Sequence, residues 1–165
     1  MVSNAGGQGA LLALDAGVRE TGWAVFNPGS EVVTGVIGLP ARRGIKARDR
    51  LTHLIEGLDA LVEQWRPEMV VHSQPSGIHW PVPALELLDA ALLEWSGRHR
   101  LRLYAYTAQE VRTAVAGHPN ASREELAYAV MAGLGLIGQA KTTHEWEAIA
   151  VGQFHASRAP TGRAP

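Results

Sequence analysis

An aspartate at the end of a short apolar run is the first residue of this sequence that could do chemistry. Asp15 follows the apolar residues 11–14 and precedes Gly17 by two positions. The run predicts a buried β-strand, and a carboxylate that leaves such a strand just before a glycine turn is well placed to hold a metal ion or a phosphate. The simpler alternative is that Asp15 caps a turn, because Asp is a common turn residue.

A second pair of candidate residues lies near the C-terminus, in the segment Thr143-His144-Glu145-Trp146-Glu147. His144 and Glu147 are three residues apart, so on a helix they share one face and can converge on a single point. They would stand in the first turns of that helix, where the helix N-terminus adds a positive potential that favours nearby anions. The alternative is an ordinary surface pair at the start of a helix.

The elements that must bring these residues together follow from the spacing of apolar and β-branched residues. The pattern predicts three antiparallel strands first, with Gly17 and Gly22 making the first turn possible, and then strands that alternate with helices. Thr107 with Glu110 and Ser122 with Glu125 predict capping boxes. The predicted strands cover residues 11–15, 23–26, 31–38, 68–73 and 101–106, and the predicted helices cover 47–65, 82–97, 108–115, 123–134 and 143–157.

This order of elements predicts an α/β fold with a five-stranded mixed sheet flanked by helices. Its first three strands are antiparallel, and the last two are added through helical crossovers that favour parallel pairing. The ends of the first and fourth strands then lie side by side, so we expect Asp15 and Ser73 to be neighbours.

Composition limits the class of protein. With 165 residues, 46% hydrophobic and 19% charged, the chain predicts one domain over residues 11–158, with disordered tails at 1–10 and 159–165. The sequence has no cysteine, so carboxylate, imidazole or water must hold any metal. Neither a secretory signal nor a long apolar run is visible, which predicts a cytoplasmic protein without a membrane partner.

Charge gives no global argument for nucleic acid, since the formal net charge is −1. Local clusters at Arg42, Arg43 and Lys46 could contact phosphates, although a run of charges is more often a solvated face. Trp80 lies in a His-Trp-Pro segment that could stack on unpaired bases, or could equally anchor the start of a helix.

Together these segments resemble the RuvC family of Holliday junction resolvases, which belongs to the RNase H-like nuclease superfamily. Residues 15–22 read Asp-Ala-Gly-Val-Arg-Glu-Thr-Gly and match the family's opening Asp-x-Gly-x-x-x-Thr-Gly. Glu147 matches an acid of its closing Asp-x-x-Asp-Ala-x-Ala-x-Ala, and His144 falls where some members also carry histidine. Weaker matches follow in the same order at Arg48-Leu51-Ile55, Arg66-Pro67-Glu68, Val111-Arg112 to Gly117, and Ala121-Ser122-Arg123.

The resemblance implies a metal-dependent endonuclease for branched DNA. In such a site, carboxylates hold two Mg²⁺ ions about 4 Å apart for an in-line displacement at phosphorus. Asp15 would bridge both ions, Glu147 would complete one site, and His144 would bind a metal or position the water. Arg112 and Arg123, where the family has lysines, would hold the DNA backbone or the scissile phosphate. The resemblance also implies a homodimer, because a two-fold dimer suits a symmetric four-way junction.

One position departs from the family pattern. The family has a catalytic glutamate at the end of the fourth strand, and here Ser73 stands there, with a neutral hydroxyl that cannot supply the charge for a second ion. Three explanations stay open: a relative that binds junctions without cutting them, a site completed by His72 or another group with Mn²⁺, or an engineered change at position 73. Among the groups that could complete the site, His72 is the weakest candidate, because strand alternation points it to the face opposite residue 73.

Two other classes of function compete with the nuclease. The opening motif also looks like the first phosphate motif of actin-like ATPases and sugar kinases, but that fold needs two such domains. A non-catalytic interaction module is the other class, because the stripe Leu85, Leu88, Leu92 and Trp95 could be core or a dimer face. Core is the favoured use.

Overall fold

The computed structural model describes residues 9–17, 19–38, 44–74 and 83–158, and it forms one sheet flanked by helices. The tails at residues 1–8 and 159–165 lie outside these ranges. Ala10, predicted to lie in the N-terminal tail, is instead buried, and its carbonyl accepts a hydrogen bond from the backbone N–H of Glu68. The elements in chain order are β1 (Leu11–Asp15), β2 (Glu20–Phe26), β3 (Val33–Gly38), α1 (Ala47–Trp65), β4 (Met69–Gln74), α2 (Pro83–Arg98), β5 (Arg102–Thr107), α3 (Ala108–Ala116), α4 (Arg123–Leu134) and α5 (Thr143–Arg158).

The sheet has the predicted mixed topology. Its strand order is β3-β2-β1-β4-β5, with β2 antiparallel to β1 and β3, and β4 parallel to β1 and β5. Strand β1 is therefore central, and its residues 11–14 are buried on both faces. Strands β1 and β4 run parallel, with Leu14 opposite His72. Their C-terminal ends therefore lie side by side at the same end of the sheet. The prediction that Asp15 and Ser73 are neighbours is confirmed.

Strand alternation decides which face each site residue occupies. Leu12 and Leu14 pack with α1 and α2 on one face, whereas Leu11 and Ala13 pack with α5 on the other. Asp15 continues the second set, so it points toward the face that α5 covers. In β4, Val71 belongs to the α5 face, and Ser73 follows it two residues later. His72 is buried and points to the opposite face, as predicted.

The turn after Asp15 differs from the prediction. Strand β2 begins at Glu20 rather than at Trp23, and Gly22 is a strand residue paired with Asp15 rather than part of the turn. The physical reason for a glycine there is the approach of α5. A Cβ atom at position 22 would overlap the backbone carbonyl of His144. Gly22 therefore allows the first turn of α5 to lie directly on β2.

Within the described residues, three helices begin with reciprocal hydrogen bonds between a hydroxyl residue and a glutamate. The two predicted capping boxes are confirmed, at Thr107 before α3 and at Ser122 before α4. A third precedes α5, where Thr142 and Glu145 each accept a hydrogen bond from the other's backbone N–H, at 3.2 and 2.7 Å. The Thr-x-x-Glu spacing was visible in the sequence and was missed. It fixes the turn that carries His144.

Helix α2 is mainly a core element, as its apolar stripe predicts. Leu88, Leu92 and Trp95 are buried in the core beneath the sheet, whereas Leu87 and Leu93 are 51% and 66% exposed. Among the helices of the described ranges, none combines the length and the apolar character that a membrane crossing demands.

Gly22→Ala tests the packing of α5 on β2. We expect the added methyl group to push α5 away and to lower the free energy of unfolding by about 1–3 kcal/mol, as overpacking does in well-packed interiors. Urea unfolding followed by circular dichroism measures this change. Gly38→Ala is the matched control, because a Cβ on that strand residue meets no atom within 4 Å. Equal stability of the two variants would contradict the proposed role of Gly22.

Candidate active site

A cleft of about 190 Å³ opens where β1 and β4 end, between the beginnings of α3, α4 and α5. It brings together six of the residues singled out in the sequence. Asp15 and Ser73 come from the strand ends, and the other four come from three helices. The lining residues are Asp15, Ala16, Ser73, Gln74, Ala108, Arg112, Arg123, Thr143, His144 and Glu147.

Asp15 is held by hydrogen bonds on both carboxylate oxygens. The Ser73 hydroxyl donates to Oδ1 at 3.2 Å, and Nδ1 of His144 lies 2.7 Å from Oδ2. An ionised carboxylate only accepts hydrogen bonds, so Nδ1 is the donor. This orients the imidazole and leaves Nε2 without a protein partner within the described residues.

Asp15 favours the protonated, positively charged form of His144. The hydrogen bond that His144 donates to Asp15 raises the pKa of His144 above its usual value, and the negative charges of Asp15 and Glu20 act in the same direction. Partial burial and the charge of Arg123 oppose this rise in pKa. His144 and Asp15 thus form a part-buried ion pair that lines the cleft, with side chains 35% and 21% exposed.

Glu147 is paired with Arg112. Nη2 of Arg112 donates to Oε1 of Glu147 at 2.5 Å, and Nε of Arg112 donates to the carbonyl of Ala121 at 3.0 Å. Burial raises the pKa of Glu147, the charge of Asp15 adds to this rise, and the charge of Arg112 counteracts it. The sequence pattern had assigned Arg112 to DNA only, and its pairing with Glu147 was missed.

The other predicted phosphate contacts have different outcomes. Arg123 is exposed at the start of α4 and lines the cleft. Lys46 is exposed at the N-cap of α1, on the α1 side of the sheet, and is not one of the cleft residues. Arg42, Arg43 and Trp80 lie outside the described residues, so their assignment to DNA stays a prediction.

Contacts outside the cleft fix the beginning of α5. Thr34 on β3 donates a hydrogen bond to Oε1 of Glu145 at 2.9 Å, and Lys141 donates to the Thr34 hydroxyl at 2.8 Å. The ammonium group of Lys141 also lies 5.9 Å from the ring centroid of Trp146. These contacts tie α5 to β3 and so position His144. Sequence separation hid the two hydrogen bonds, because Thr34 precedes Glu145 by 111 positions and Lys141 by 107.

The donor groups fit one oxygen-ligated divalent ion better than two. Within the described ranges, no three His, Cys, Asp or Glu side chains lie together as a ready-made cation site. Asp15 and Glu147 are nevertheless both in the cleft, and Mg²⁺ is commonly bound by one or two carboxylates with water and substrate phosphates completing its ligands. Ser73 adds no charge for a second ion, and the buried His72 faces away from the cleft.

Comparison with known proteins identifies one family. The sequence model of the family described as crossover junction endodeoxyribonuclease RuvC matches residues 11–155. The protein of that name from Caulobacter vibrioides is 32% identical over 154 residues, which cover 89% of each chain. The one from Nitrosomonas eutropha is 32% identical over 132 residues, covering 73% of this chain and 70% of the other.

A solved structure shares the fold. The structure of Thermus thermophilus RuvC in complex with Holliday junction substrate superposes with a TM-score of 0.72 at 22% identity. The match covers 89% of this chain and 92% of that one. The predicted RNase H-like architecture is thereby confirmed.

The pairing of His144 with Asp15 predicts a titration that NMR can follow. A raised pKa means that the stability contributed by His144 is present below pH about 6.5 and is lost as pH rises through its folded pKa. We expect its ring signals to titrate above pH 6.5, and Asp15→Asn to lower the midpoint. His155 serves as an internal control, because burial lowers its pKa. A His144 midpoint that does not respond to Asp15→Asn would contradict the pairing.

Proposed function

Because the chain belongs to the crossover junction endodeoxyribonuclease RuvC family, we propose that it is a structure-selective endonuclease that hydrolyses phosphodiesters in branched DNA. Enzymes of this family depend on divalent metal. We propose Mg²⁺, or Mn²⁺, as the ion for this chain, because its cleft offers carboxylate oxygens and no thiolate.

One observation carries the proposal: Asp15, His144 and Glu147 converge on one cleft together with Arg112 and Arg123. Two carboxylates that could hold a cation and two guanidinium groups that could hold a phosphate thus face the same small volume. An actin-like nucleotide site would need a second domain across the cleft, whereas the family match extends over nearly the whole of this chain.

Each residue has a proposed part in the reaction. Asp15 and Glu147 hold the ion, which when bound supplies an activated water and stabilises charge on the leaving oxygen. Arg112 and Arg123 bind the phosphate, where a guanidinium can offer two parallel N–H groups. His144, oriented through Nδ1 by Asp15, presents Nε2 to the cleft and holds the attacking water there.

Ser73 lowers the expected rate. Its hydroxyl donates to Asp15 and brings no negative charge, so a second divalent ion has fewer ligands than in relatives with glutamate at this position. The same observation favours a second candidate function, a junction-binding protein that does not cut. Both candidates require branched DNA in the cleft, and they differ only in turnover.

We also propose that the protein acts as a homodimer. A symmetric four-way junction is matched by a two-fold dimer, and α2 exposes Leu87 and Leu93 on its outer side. Sedimentation velocity of the free protein distinguishes a two-chain species from a monomer.

A cleavage assay on a labelled four-way junction with Mg²⁺ or Mn²⁺ tests the function. We expect slow cleavage by the wild type and a loss of about a hundredfold or more in Asp15→Asn, because a metal-ligand charge worth several kcal/mol is removed. Ser73→Glu should raise the rate by about tenfold or more by supplying the missing charge.

Ser73→Gln is the matched control, since it has the length of glutamate without its charge. Cleavage by Ser73→Glu alone, with junction binding by the wild type, would support the non-cutting candidate. If neither the wild type nor Ser73→Glu binds or cuts branched DNA, the proposed function is wrong.

A further inference from the structure

Arg112 is held in the cleft in a way that Arg123 is not. Its guanidinium is fixed at two points, by the Ala121 carbonyl at 3.0 Å and by Glu147 at 2.5 Å. The side chains of Arg112 and Glu147 are only 16% and 13% exposed. Arg123, in contrast, is exposed and has no hydrogen bond or ion pair within the described part of the chain. The guanidinium group of Arg112 is therefore held in a fixed position, unlike a mobile charge on the surface.

This contact uses the carboxylate that the proposed function assigns to a divalent ion. An arginine at hydrogen-bond distance occupies one oxygen of Glu147 and places a positive charge beside any cation that approaches it. Like charges at such a distance repel strongly where water is largely excluded. In the arrangement of the free protein, Glu147 is thus a poor cation ligand.

A substrate phosphate offers Arg112 an alternative partner. Arg112 lines the same cleft as Arg123, so a phosphate that enters will meet both guanidinium groups. Arginine binds phosphate with two parallel hydrogen bonds as readily as it binds carboxylate. Phosphate binding would therefore draw Arg112 from Glu147 and leave that carboxylate open to a cation.

We propose that Arg112 exchanges Glu147 for a phosphate of the DNA, so that the cation site is completed only when branched DNA is bound. This inference rests on the proposed function and adds a coupling between its two ligands. By linkage, DNA must raise the affinity for the cation by the same factor by which the cation raises the affinity for DNA. Arg112 is then a positioning residue that makes cation binding depend on substrate.

The first test uses the free protein without DNA. The dissociation constant for Mn²⁺ is measured from the electron paramagnetic resonance signal of the unbound ion. We expect Arg112→Ala to bind Mn²⁺ about tenfold or more tightly than the wild type, within the range typical of coupled sites. Arg123→Ala is the matched control, since it removes an equal charge from the cleft without releasing Glu147, and it should change the affinity much less.

Two further variants keep this test decisive. Lysine lacks the planar fork that contacts Ala121 and Glu147 together, so Arg112→Lys should fall between the wild type and Arg112→Ala. If Arg112→Ala fails to fold by circular dichroism, Arg112→Lys carries the comparison. Adding Glu147→Gln to either variant should abolish the gain. Equal Mn²⁺ affinities for the Arg112 variants and Arg123→Ala would overturn the inference.

The second test measures the coupling itself. Fluorescence anisotropy gives the junction dissociation constant with and without Mn²⁺ at constant ionic strength, with strand integrity checked on a denaturing gel. We expect Mn²⁺ to tighten junction binding by the wild type by about 5–150-fold. This ratio should fall in Arg112→Ala and persist in Arg123→Ala.

Failure of the coupling and failure of the proposed function would give different results. An unchanged ratio in Arg112→Ala would overturn the coupling while leaving the nuclease proposal intact. Absence of any binding of branched DNA by the wild type would overturn the proposed function itself, whatever the Mn²⁺ affinities in the DNA-free test.

Discussion

The first turn of α5 lies directly on strand β2, because Gly22 has no side chain to hold it away. Strand pairing places Gly22 opposite Asp15, so the same close approach brings His144 to the Asp15 carboxylate. The rest of α5 cannot shift to compensate, since residues 148–151 are fully buried against the sheet. The hydrogen bonds from Thr34 to Glu145 and from Lys141 to Thr34 fix the same turn from the β3 side.

In the free protein, both carboxylates of the cleft are paired with other side chains of the protein. Asp15 is held by Ser73 and His144, and Glu147 is held by Arg112. This pairing stabilises two acids in a partly buried place, where an unpaired charge would be costly. It also means that a cation must compete with protein groups for each carboxylate. With Ser73 in place of a third acid, the proposed single ion depends on the substrate phosphate for part of its ligation.

The sequence predicted the sheet and the position of Asp15 beside Ser73 because these follow from local patterns. Apolar and β-branched runs define strands, helical spacing defines the crossover helices, and helical crossovers favour parallel pairing. The role of Gly22 was predicted wrongly, since a glycine between two apolar runs suggests a turn, and only the packing of a distant helix shows why it lies in a strand. The pairing of Arg112 with Glu147 could not be read from spacing, because it joins α3 to α5 through the tertiary fold.

The claim that Asp15 and Glu147 together hold a single divalent ion is tested most directly by anomalous diffraction from crystals of the protein with a four-way junction and Mn²⁺. We predict one strong anomalous peak, contacted by a carboxylate oxygen from each of these two residues, with Arg112 turned to a DNA phosphate. Two peaks of full occupancy, or one that Glu147 does not contact, would contradict the claim.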